Sequence, residues 1–204
     1  MTVYQVCARY VAQPVAADWR ERLASHLGSR PRRLGRWAEL GLYGALECLA
    51  ADGESTLAEH AALVLSSQHG PALAMRSALA QVHEDLPLPL TFLQTQPSQL
   101  LATLSAYLGW SGDARFITHP DPFAVLALAT ALSHADGLLV GWVDEIDVES
   151  SVWLRLRAVA DPGGDWCRAG DFAMLVQCAS HVRLGSSELT VIIDPQLGNV
   201  AQKK

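Results

Sequence analysis

Two short apolar runs constrain this chain more than any other feature. Residues 61–66 (Ala-Ala-Leu-Val-Leu-Ser) and 137–143 (Gly-Leu-Leu-Val-Gly-Trp-Val) carry no charge and no alternation, as strands covered on both faces do. Helical patterns lie between and around them. Over residues 37–51, Trp37, Leu40, Tyr43, Leu46 and Leu49 recur at helical spacing, with Gly41 and Gly44 as small residues on a packing face and Asp52-Gly53 as a stop. Further helices are predicted at 72–85, after Pro71; at 98–108, closed by Gly109; and at 123–133, after the Asp121-Pro122 cap. The last is rich in alanine and leucine and apolar nearly all round, which predicts burial. Strands separated by helices in this order predict an α/β protein with a mostly parallel sheet and helices on both faces.

The remaining runs extend that sheet. Residues 3–11 and 115–118 predict strands, and the proline-spaced stretch 86–90 predicts extended chain. Three β-like runs, 151–159, 172–179 and 189–193, with a Pro-Gly-Gly turn at 162–164, predict antiparallel strands added near the C-terminus. No repeat or linker divides the chain, so 1–204 is expected to be a single domain, and half of its 204 residues are hydrophobic, enough for a sizeable core.

Charge and cysteine usage narrow the function. A net charge of -6 argues against nucleic-acid binding, which needs excess Lys and Arg on one face. No apolar run has the roughly 18 uncharged residues of a membrane span, and residues 1–11 do not read as a leader, so a cytoplasmic location is expected. Cys7, Cys48, Cys167 and Cys178 form no CxxC pair, so neither disulfides nor a metal site is expected, and no cofactor. One stretch opposes the overall sign: residues 19–36 hold Arg20, Arg22, Arg30, Arg32, Arg33 and Arg36.

Several residues carry possible chemistry. His119 and Asp121 stand together at a helix start and form a candidate acid/base pair, although Asp before Pro122 is also what an N-cap requires. Ser67 and His69 follow a buried strand, yet the Gly-x-Ser-x-Gly spacing is absent and no third residue orients the histidine. Asp144, Glu145, Asp147 and Glu149 cluster at a strand end without the spacing of a calcium loop. Solvated loop charge is the default reading of that cluster.

Residues 61–70, the segment 89–97 leading into a helix, and Asp136-Gly-Leu-Leu-Val-Gly-Trp-Val-Asp-Glu145 resemble the N-terminal half of β-ketoacyl synthases. Within that group the chain is similar to short chain-length-factor-like, or pseudo-ketosynthase, proteins of fatty-acid and aryl-polyene pathways. The phenylalanines before and at the start of two helices (Phe92, Phe123) and the acidic strand end (Asp144, Glu145) carry this likeness. A thiolase-like half-fold is implied. Active members hold a nucleophilic cysteine at the start of the helix after the central strand, where helix-end N–H groups lower its pKa. Here the corresponding turn is Thr118-His-Pro-Asp-Pro-Phe123, without cysteine. The family's catalytic histidines lie in a second half of the fold.

The resemblance therefore implies no catalytic residues and a non-catalytic subunit paired as a heterodimer with a full-length ketosynthase. The central strand, about 114–118, would pair edge to edge with the partner. Phe92, Phe116, His119, Asp121 and Phe123 become pocket or interface candidates, and the helix 98–108 would help bound an acyl tunnel. Arg30, Arg32, Arg33 and Arg36 become candidates for docking the acidic acyl carrier protein, with a solvated basic face as the equal alternative. Two other functions stay open: acyl-thioester hydrolysis or transfer using Ser67, His69 or His119, and a self-associating scaffold that forms a homodimer.

Overall fold

The computed structural model describes residues 2–86, 88–132, 135–184 and 188–194. In chain order the elements are β1 (Val3–Ala12), α1 (Trp19–Leu27), α2 (Arg36–Ala51), β2 (Ala62–Ser67), α3 (Ala72–His83), α4 (Pro89–Gln94), α5 (Ser98–Leu108), β3 (Asp113–Thr118), α6 (Pro122–Ala131), β4 (Leu138–Asp144), β5 (Ser150–Val159), β6 (Cys167–Arg168), α7 (Phe172–Cys178), β7 (Ala179–Leu184) and β8 (Leu189–Ile193). The strands form one sheet in the order β3-β2-β4-β5-β1-β7-β8-β6. Residue 133, the expected end of the alanine-rich helix, and residue 87 of the proline-spaced stretch lie outside the described residues.

Parallel pairing is narrower than the sequence predicts. Only β2 is paired in parallel, with β3 on one side and β4 on the other; the remaining ladders are antiparallel. The reason is connection length. Helical crossovers join β2 to β3 and β3 to β4, as parallel strands require, whereas a short acidic loop joins β4 to β5 and turns the chain straight back. Both predicted buried strands, β2 and β4, are buried on both faces.

Alternating residues of the central strands feed two cores. Leu63, Leu65, Leu139, Val143 and Trp153 face α1, α2 and α5. Val64, Val140, Leu154 and Leu156 face α6 and α7. Close approach on the first side depends on glycine: a Cβ at Gly44 would lie 2.1 Å from Ser151 Oγ, and one at Gly41 2.3 Å from Leu100 Cδ2. These are the two glycines that the sequence placed on a packing face.

Three expectations are corrected. Residues 172–178 form α7 instead of a strand, because Asp171 accepts the Met174 N–H at 2.6 Å as an N-cap and Phe172, Leu175 and Val176 share one helical face. Pro89 starts α4, where its missing N–H is harmless and the preceding Leu88 stays extended. Burial of α6 is one-sided: Val125, Leu126 and Ala129 pack on the sheet, while Leu128 is 47% exposed.

A buried ion cluster ties the end of α2 to β5. Arg155, 1% exposed, donates to Glu54 at 2.6 and 3.0 Å and to the Leu156 carbonyl at 3.0 Å. Beside it, Arg157 donates to Asp52 at 2.6 Å and to Glu54 at 2.8 Å. Burial raises the Glu54 carboxyl, but the hydrogen bonds from Arg155 and Arg157 outweigh it, so its pKa lies below the ordinary value. Stability from Glu54 is thus present above its unfolded pKa and is lost as pH falls through the folded one. Asp52, raised first by burial, opposes this in sign. Arg155→Met is expected to lower urea-unfolding stability by about 1.5–3 kcal/mol, since it removes charged hydrogen bonds to the half-buried Glu54, and Glu54→Gln to flatten the acid limb of the stability profile below about pH 4.3.

Candidate functional site

The C-terminal ends of β2, β3 and β4 converge on the residues that the sequence singled out. At the end of β3, His119 and Asp121 form a self-contained turn. His119 Nδ1 lies 3.0 Å from the Asp121 backbone N–H, and the Asp121 carboxylate accepts the Phe123 N–H at 2.9 Å. The histidine therefore contacts its neighbour's backbone, while the carboxylate caps α6. Both side chains are exposed. They come together as a cap and not as an acid/base pair.

At the end of β2, Ser67 is 1% exposed and its hydroxyl is fully engaged. It donates to Asp144 Oδ1 at 2.7 Å and accepts the Gly70 N–H at 2.7 Å. The same Asp144 oxygen accepts the Gln68 and His69 N–H groups at 3.1 and 3.3 Å, and His69 Nδ1 stands 3.7 Å from it. A nucleophile needs the reverse arrangement, with the histidine accepting from the serine. Here a carboxylate gathers the β2–α3 loop. Next to it Glu145, 7% exposed, accepts the Leu73 N–H at 2.8 Å in the first turn of α3. Burial is the main cause that raises its pKa, opposed by that hydrogen bond. Glu149 pairs with Arg36. The acidic cluster is thus mostly a set of fastenings, which the sequence did not reveal because their partners lie some 70 or more residues away.

Those fastenings hold α3, which has no buried residue of its own, and neither has α4. Leu79, Val82, Leu86, Leu88 and Phe92 are each 57–66% exposed. Val82, Leu88, Pro89 and Phe92 line a groove of about 310 Å³ between the two helices. Contiguous apolar surface of this kind marks an interaction site. Phe92 is therefore an open surface residue. By contrast, α5 turns Leu100, Leu104 and Leu108 into the core, and Phe116 is half-buried, its ring edge-on to Trp37 at 5.8 Å. β3 forms one edge of the sheet and is packed by α5.

The arginines divide into two groups. Arg20 pairs with Glu39 at 3.1 Å, Arg22 with Asp18 at 3.0 Å, and Arg36 with Glu149. Arg30, Arg32 and Arg33 are exposed and make no ion pair among the described residues. Their loop runs to Gly35, where a Cβ would lie 3.2 Å from Gln94 Cβ at the end of α4. The loop that carries these arginines thus reaches the end of α4 at Gly35. Of the cysteines, Cys48 is buried, with its thiol pushed up to about 12 mainly by burial, and burial also raises Cys7; neither is a poised thiolate. Among the described residues no group of three potential ligands could hold a metal ion, and no helix is long and apolar enough to cross a membrane.

On the opposite side of the sheet, Phe123, Ala124 and Ala127 of α6 face Arg168, Ala169 and Leu189 across a pocket of about 680 Å³. Phe123 stands edge-on to Phe172 at 5.8 Å, and Phe172 to Trp142 at 4.5 Å.

No protein-family model and no curated protein sequence matches the chain. Solved structures do. A chain of the complex between the ketosynthase ApeO and its chain length factor ApeC from Xenorhabdus doucetiae matches with a TM-score of 0.54 at 15% identity, over 93% of this chain and 98% of that one. The ishigamide ketosynthase/chain length factor matches at 0.52 and 13%, over 78% of this chain and 59% of that one. The polyketide-synthase complex AntDE:AntF, a ketosynthase with its acyl-carrier protein, matches at 0.55 and 12%, over 83% and 70%. The fold is thiolase-like, as in these ketosynthase and chain-length-factor chains, in agreement with the resemblance carried by residues 61–145.

Glu145→Gln tests the fastening of α3. The amide still accepts the Leu73 N–H but carries no buried charge. Because the folded carboxyl pKa is raised, its penalty is present above that pKa and vanishes below the unfolded value. The variant is expected to melt higher than the parent at pH 7, with the difference closing as pH falls below about 4.3.

Proposed function

We propose that this chain is a non-catalytic, chain-length-factor-like subunit that binds a full-length ketosynthase acting on acyl-carrier-protein substrates, as in polyketide or aryl-polyene synthesis. The observation that carries it is the exposed apolar surface of α3 and α4, on a chain whose sheet also ends in the edge strand β3. An edge strand offers unpaired backbone groups to a partner, and two helices with no buried residue offer exposed apolar area. Support comes from the fold shared with ketosynthase and chain-length-factor chains.

The site chemistry favours this role over the alternatives. A thioester hydrolase needs a free nucleophile, whereas Ser67 is bound to Asp144 and Gly70, and His119 to its own turn. A homodimer through the same surface is the remaining competitor; it would bring together two chains that each carry a net charge of -6. The exposed Arg30, Arg32 and Arg33, on the loop that reaches the end of α4, suit a partner or carrier protein rich in carboxylates.

Purification of the tagged chain from its native cell, with partners identified by mass spectrometry, tests the proposal. A ketosynthase carrying its active cysteine is expected in stoichiometric amount. Val82→Asp or Phe92→Asp, at exposed positions that leave the fold intact, is expected to weaken that association at least 10-fold, since charge within an apolar contact costs roughly 2 kcal/mol or more. Recovery of the chain only as its own dimer would overturn the proposal. Charge reversal at Arg32 and Arg33 is expected to slow association at low salt and have little effect at high salt.

A further inference from the structure

Helix α3 has two unlike sides. Ala78 and Gln81 are half-buried and line the groove that α3 shares with Leu88 and Phe92. Beside them, Met75, Leu79 and Val82 recur at i, i+4 and i+7 and are 49, 57 and 58% exposed. Large apolar side chains at that spacing form a stripe, the seam along which one helix packs on another. Both ends of this helix are secured. Glu145 accepts the Leu73 N–H at 2.8 Å, and past His83 the N–H groups of Glu84 and Leu86 return to the Ala80 and Gln81 carbonyls at 3.1 and 2.9 Å. The stripe therefore sits on a fixed element, which lowers the ordering cost of binding.

Only one flank of the stripe is open. On a helix of 3.6 residues per turn, Ala78 and Gln81 lie to its α4 side, whereas Arg76 and His83 lie to the other. Those two are exposed and make no ion pair among the described residues. Charges beside a helix seam select its partner, so this flank favours a helix that brings carboxylates. A second copy of α3 does not bring them. In an antiparallel pair, Arg76 and His83 would lie along Arg76 and His83 of the other copy, while Glu84 and Asp85 come after the end of the helix. The groove of about 310 Å³ shares Val82 with the stripe, so apolar side chains of a docked helix can enter it.

We propose that the Met75–Leu79–Val82 stripe and the groove beside it seat a single amphipathic helix of the partner protein. Its apolar residues recur at three- and four-residue spacing, and its flank along Arg76 and His83 carries carboxylates. This rests on the reading that another protein completes the α3–α4 surface, and it names the element that does so.

The test uses the tagged full chain in its native cell, with a benzophenone amino acid in place of Met75 or, separately, Val82. These positions are about 10.5 Å apart along α3. After irradiation, mass spectrometry locates the two cross-links on the partner. They are expected about seven residues apart, in a segment with Asp or Glu along one helical flank; an extended segment would place them about three apart. Arg76→Glu is expected to weaken binding of the recovered partner about three- to tenfold at low salt, and Arg76→Lys to leave it nearly unchanged. Cross-links about three residues apart, a segment without carboxylates, or equal affinity of Arg76→Glu and the parent overturns this proposal and leaves the heterodimer standing. Cross-links only to a second copy of this chain, or to no protein, overturn both. If a cross-linking variant fails to fold, the Arg76 comparison decides alone.

Discussion

Two carboxylates at the end of β4 decide the character of this protein. Asp144 collects the Ser67 hydroxyl and the N–H groups of Gln68 and His69, and Glu145 takes the first-turn N–H of Leu73. Together they set the exit of β2 and the start of α3. Because polar bonds anchor α3, none of its apolar side chains has to be buried to hold it in place. The same interaction holds the Ser67 hydroxyl, so one constraint both leaves the apolar side chains of α3 exposed and ties up the serine at the end of β2.

The sheet beneath keeps these ends in register. Parallel pairing of β2 with β3 and β4 brings the three strand ends to one side, where α/β sheets place their functional groups. From there the chain turns back through β5, and the Arg155 cluster fixes β5 to the end of α2. Removing one partner of such a cluster costs more than the cluster contributes net, because the remaining charges lose their hydrogen bonds. The two faces then diverge. One is filled by α2 and α5, and the other carries α6, an aromatic trio and an open pocket.

Much of this is legible in the residues. The charge-free runs at β2 and β4, the Asp121-Pro122 start of α6 and the glycine pair on α2 state their roles locally, because burial on both faces, helix capping and close packing each leave a short-range pattern. What the sequence hides is long-range. Nothing near Arg155 announces Glu54, 101 residues away, and nothing in the acidic cluster shows that Asp144 and Glu145 hold the loop and helix that follow β2. The pattern of α3 predicts a helix but cannot say that its apolar residues meet solvent. α7 was hidden for a different reason: its short apolar run suits strand or helix equally, and the Asp171 cap alone decides between them.

The central claim is that α3, α4 and the edge strand β3 form a surface completed by another protein. Hydrogen–deuterium exchange on the chain alone and in its ketosynthase complex addresses this most directly. The account predicts fast exchange along α3 and α4 in the isolated chain, and strong protection of α3, α4 and β3 on association, with β1, β5 and the Arg155 region unchanged. Equal exchange of α3, α4 and β3 in the two states would contradict it.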